Sequence, residues 1–120
     1  MRIKINELNW TFETVEENDE RLLIDNDEVF GITHFKTLEI FVVKNVLNDE
    51  VFKRTIRHEL THAYLYSYGF IGSCMDEEYI CNFMEIYGEK IVEQTNDIYE
   101  KVKSTAFSKS SPIQRINTRA

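Results

Sequence analysis

Apolar and polar positions alternate in the first half of the chain and recur at helical spacing in the second. Single polar residues separate Ile3 from Ile5 and Trp10 from Phe12, and the run Leu38 to Val43 is largely β-branched and apolar, so strands are expected at all three places. Val29 to His34 is expected to pair with Leu38 to Val43 as a hairpin through Phe35, Lys36 and Thr37. The acidic stretch Glu16 to Glu28, around Leu22, Leu23 and Ile24, reads as a short strand or a turn.

Two helices follow. Asn48 can cap the first through its side-chain oxygen, Leu47 and Phe52 stand at staple positions, and Gly69 supplies the left-handed residue that ends it, which predicts a helix over about Asp49 to Tyr68. Ser73 and Asp76 form a capping pattern for the second. Beyond them Ile80, Phe83, Met84, Tyr87, Ile91, Ile98 and Val102 recur at helical spacing, giving a helix over about Cys74 to Lys103. Strands first and helices after, without strand–helix–strand alternation, indicate an α+β fold: a small antiparallel or mixed sheet packed on two long helices.

With 120 residues, 42% of them hydrophobic, the chain suits one domain, expected over residues 1–103. After Ser104 periodicity is lost and Ser, Pro and Lys accumulate, so residues 104–120 are expected to be a flexible tail. The formal charge of -7 opposes binding to nucleic acid or to an anionic membrane. It divides unevenly: residues 101–120 carry Lys101, Lys103, Lys109, Arg115 and Arg119 and no acid, which attracts the tail to the acidic body. The longest run without Asp, Glu, Lys or Arg, Leu60 to Met75, contains His62, two Ser and two Gly and is no membrane span. Glu7 follows the N-terminal residues too soon for a secretory signal, and Cys74 and Cys81 are too few for a disulfide framework, so a cytoplasmic protein with free thiols is expected.

The candidate chemistry lies in His58-Glu59-Leu60-Thr61-His62, an HExxH motif inside the first helix. At about 3.6 residues per turn, side chains four apart share a face, so two imidazoles can take adjacent vertices of a zinc tetrahedron. Glu59, beside the first histidine, can accept a proton from a water attacking a carbonyl. A third ligand is required to leave one open vertex, and the second helix begins with acids. Glu78 shares a face with Asn82 and Glu85, while Glu77 lies nearer the apolar stripe, so either can serve on spacing alone; Asn82 can hydrogen-bond a ligating histidine. Tyrosines crowd this half of the chain, and one of them or His34 can supply an oxyanion donor.

The run Thr55-Ile56-Arg57-His58-Glu59-Leu60-Thr61-His62-Ala63-Tyr64 resembles the active helix of zincin metallopeptidases. Glu78-Tyr79-Ile80-Cys81-Asn82 resembles the glutamate element of the ImmA/IrrE family and is similar to that of the minigluzincins. Gly31 to Val43 resembles the hairpin whose outer strand pairs with extended substrate in these families. Two features depart from the pattern: the interval from His62 to Glu78 is short, and Asn82 is followed by Phe83, Met84 and Glu85 in place of a Phe-Ala pair. The resemblance implies a mini-zincin, gluzincin-like fold holding Zn²⁺ on His58, His62 and Glu78, with Glu59 as catalytic base. It further implies a phage or mobile-element origin and a protein substrate such as a repressor. A different class stays open: a non-catalytic, zinc-stabilised binding module acting as an antirepressor or inhibitor.

Overall fold

The computed structural model describes residues 1–45, 47–70 and 77–109. Early alternation produces a hairpin in which β1 (Arg2–Ile5) pairs antiparallel with β2 (Leu8–Val15), Ile3 facing Trp10 and Ile5 facing Leu8. Its two turn residues, Asn6 and Glu7, both have positive φ, 47° and 68°, matching the right-handed strand twist. A 3-10 turn (Glu20–Leu22) then leads into a small hairpin of β3 (Leu23–Ile24) and β4 (Asp27–Glu28). The acidic stretch is therefore both turn and strand.

The expected second hairpin forms from β5 (Gly31–His34) and β6 (Glu39–Val43), antiparallel. β6 inserts beside β2 in parallel, Phe12 facing Ile40 and Val15 facing Val43. The order β1-β2-β6-β5 makes a mixed sheet with β5 at its edge. One face carries Ile3, Ile5, Trp10, Phe12, Ile40 and Val42 toward the helices. The other joins Val15, Phe41 and Val43 under Leu22 of the 3-10 turn.

Helix α1 (Asp49–Ser67) has the anticipated caps. The Asn48 side chain accepts from the Val51 amide at 2.9 Å. Gly69, at φ 77°, donates to the Tyr66 carbonyl, and Phe70 donates to that of Leu65, a Schellman closure. Of the two staple positions, Leu47 packs on the reverse-face cluster of the sheet and Phe52 on the helix-face cluster. Helix α2 (Glu77–Lys109) runs antiparallel to α1, with Tyr87 against Tyr68 at 4.2 Å near one end and Tyr99 against Phe52 at 6.2 Å near the other. At that second end Lys103 donates to Asp49 at 2.8 Å and to the Tyr99 hydroxyl at 2.9 Å, which holds the Asp49 carboxyl below its ordinary pKa.

Two expectations about α2 need correction. Ile80 and Met84 are exposed, 46% and 52%, although they extend the inward stripe, because past the end of α1 at Ser67 the contact is made by Tyr79, Phe83 and Tyr87, which pack on Phe70. The helix also continues to Lys109, past the composition change at Ser104, since neither Gly nor Pro interrupts it there. The capping residues Ser73 and Asp76, and the tail from residue 110 onward, lie outside the described residues. No helix among the described residues is long and apolar enough to cross a membrane.

Ser67 joins the sheet to the end of α1. Its hydroxyl accepts from Trp10 Nε1 at 2.9 Å and its carbonyl from the Asn6 amide side chain at 2.8 Å. Trp10 is fully buried, so Ser67→Ala strands an indole N–H away from water and is expected to lower unfolding stability by about 1–3 kcal/mol, measured by urea denaturation.

Candidate metal centre

The HExxH helix turns His58 and His62 to one side of α1, where they border a cleft of about 730 Å³ between the helix, β5 and the β3–β4 hairpin. Both side chains are exposed, and their ring centroids lie 5.0 Å apart with planes at 75°. Two imidazoles one turn apart, free to the solvent of a cleft, fit two vertices of a zinc site. Phe35 packs edge-on against His62 at 6.4 Å and stacks on Tyr66 at 5.1 Å, which in turn meets Trp10. The second histidine is thus buttressed from the core.

Glu59 is placed differently from its neighbours. It is 6% exposed, tucked under β5, with Oε1 accepting a hydrogen bond from the Thr33 hydroxyl at 2.7 Å. The same hydroxyl stands 3.2 Å from the Glu59 carbonyl oxygen. Gly31 permits this approach, because a Cβ there would lie 3.0 Å from both Glu59 Cγ and Thr55 Cγ2. Neither Thr33 nor Gly31 was expected from the sequence as part of the site. The available signal was strand alternation, which turns residues 31 and 33 to one face of β5, together with a glycine interrupting an apolar run.

The main chain of β5 also faces the site. Val43 N–H donates to the Phe30 carbonyl at 2.8 Å, and the register then directs Ile32 and His34 toward β6. The backbone groups of Gly31 and Thr33 consequently point away from the sheet, along an edge that no other described strand occupies.

The third expected ligand is not brought to the histidines. Glu78 and its rival Glu77 are exposed in the first turn of α2, and among the described residues no three His, Cys, Asp or Glu side chains gather to hold a metal. The cause lies in the helix packing. α2 contacts α1 through Tyr64 and Tyr68. Tyr64 stands two residues past His62, about 200° around the helix. Residues 71–76, which connect the helices and include Cys74, lie outside the described residues; Asn82 and Cys81 are exposed on α2.

Two of the candidate oxyanion donors, His34 and Tyr64, make their contacts outside the cleft. His34 packs edge-on to Phe41, on the reverse face of the sheet. The Tyr64 hydroxyl donates to Gln94 at 2.7 Å, and burial pushes its pKa up. Among the described residues no tyrosine lines the cleft. Removing the Thr33 hydroxyl should leave a buried carboxylate with one hydrogen bond fewer. Thr33→Val is accordingly expected to reduce stability at neutral pH by about 1–3 kcal/mol in urea titrations, with helix content unchanged by circular dichroism. Comparison with protein-family models, with curated proteins and with solved structures yields no match to this chain.

Proposed function

We propose that the chain is a zinc-dependent metallopeptidase, a small zincin that hydrolyses a peptide bond in a specific regulatory protein such as a phage-type repressor. The observation that carries this reading is the position of Glu59, a buried carboxylate beneath an open strand edge, flanked along one helix by two exposed imidazoles. His58 and His62 are assigned as metal ligands, with Glu78 proposed as the third on the sequence pattern alone. Zinc, when bound, supplies an electrophile that acidifies water and polarises a carbonyl.

The chain's own residues do the rest. An extended peptide adds to β5 through the outward N–H and C=O groups of Gly31 and Thr33, which draws its backbone across the Glu59 carboxylate. Glu59 accepts the proton of the attacking water and passes it to the departing amine. Thr33 holds Oε1, leaving Oε2 for that exchange. Phe35 fixes one side of His62 against the aromatic column behind it.

A second reading draws on the separation of Glu78 from the histidines: a zinc-stabilised module that grips a partner without cutting it. Elemental analysis and single substitutions separate the two. His58→Ala should abolish stoichiometric zinc. Glu59→Gln should retain zinc and fold but lower cleavage by about 10²- to 10⁴-fold, the usual contribution of a general base. If Glu59→Gln leaves the biological effect intact, the binding module is correct. Loss of zinc in Glu77→Ala but not in Glu78→Ala would transfer the third position to Glu77.

A further inference from the structure

Arg54 lies one turn before His58 on α1 and lines the same cleft. Four other cations, Lys4, Arg21, Lys44 and Lys103, are engaged in ion pairs. Arg54 has neither an ion pair nor a side-chain hydrogen bond among the described residues, in a chain with 21 acidic residues and 14 basic ones. Apolar side chains line the same cleft: Val51 from the helix, and Ile24 and Phe30 from the strand side, the last two exposed at 46% and 55%. Among the described residues that line the cleft, Glu59 is the only carboxylate, and it is held by Thr33.

We infer that Arg54 forms a carboxylate-recognition subsite, so that the cleft selects an extended peptide carrying an acidic group with apolar residues beside it. The inference rests on the peptide-binding reading of the β5 edge. Four residues of helix rise about 6 Å, and an extended chain advances about 3.3 Å per residue. The acidic group therefore sits about two residues from the position opposite His58. Arg54 is exposed at the cleft, and its guanidinium offers paired donors that match a carboxylate. The carboxylate has two sources, an Asp or Glu side chain or the free C-terminus of the peptide, and both present the same group.

The test uses the full-length chain carrying Glu59→Gln, so that bound peptides are not consumed. Fluorescein-labelled peptides of alternating Val and Ser, with one position set to Glu, Gln or Lys and the C-terminus free or amidated, are titrated by anisotropy with and without zinc. Expected is binding about tenfold tighter for the acidic member than for its Gln counterpart. The difference should shrink at high salt and vanish when Arg54→Gln is added, while the neutral peptide binds as before. Arg54→Glu should transfer the preference to the Lys peptide. A preference that follows the free C-terminus assigns the subsite to a terminal carboxylate; one that follows Glu assigns it to a side chain. Equal affinity for all peptides, a preference that survives Arg54→Gln, or no peptide binding overturns the inference. Failure of the zinc-loaded wild-type chain to cut a peptide that it binds through Arg54 overturns the peptidase and leaves the subsite standing.

Discussion

The close approach of β5 to α1 at Gly31 is the constraint on which the rest of the site depends. A Cβ there would lie 3.0 Å from Glu59 Cγ and Thr55 Cγ2, so glycine lets the strand edge lie over the HExxH helix without displacing either side chain. Once the strand is seated, Thr33 two residues on reaches the Glu59 carboxylate, and Phe35 two residues further meets His62. The alternation of one short strand thereby aligns with successive turns of one helix. Glu59 can be buried because a hydroxyl receives it; without that partner, a carboxylate 6% exposed would carry a substantial desolvation cost.

The sheet topology explains why that edge is open. β6 occupies the position between β2 and β5, taking hydrogen bonds from both, and so places the preceding strand outermost. The reverse face is closed by Leu22 and by the salt-bridged Arg21, whose guanidinium lies 4.8 Å from the Phe41 ring centroid. The helix face is closed by α1 and α2. The rim where β5, the β3–β4 hairpin and α1 meet stays accessible, and it carries exposed Ile24, Phe30 and Phe35.

Features encoded locally were legible in the sequence. Asn48 and Gly69 mark the ends of α1 because capping depends on a few adjacent residues, and the alternating runs mark β1, β2 and the β5–β6 hairpin for the same reason. The paired histidines on one helix face follow from helical period alone. Contacts between distant segments were not legible. The parallel pairing of residues 11–15 with 39–43, the bond from Thr33 to Glu59 and the place of Arg54 in the cleft depend on how elements pack. Period also misleads at the start of α2: Ile80 and Met84 continue the stripe in sequence yet are exposed, because Phe70 is met by Tyr79, Phe83 and Tyr87 instead.

The insertion of β6 at the centre of the sheet has a consequence for how the chain assembles. Its parallel bond to β2 joins segments almost thirty residues apart, and Trp10 reaches its hydrogen-bond partner across 57 residues. Such pairings must close a long loop before they gain anything, which slows folding relative to local hairpins. During synthesis the β1–β2 hairpin therefore waits with Trp10 and Phe12 uncovered until residue 43 supplies its neighbour and Ser67 its anchor. Apolar surface left uncovered in that interval favours association between chains.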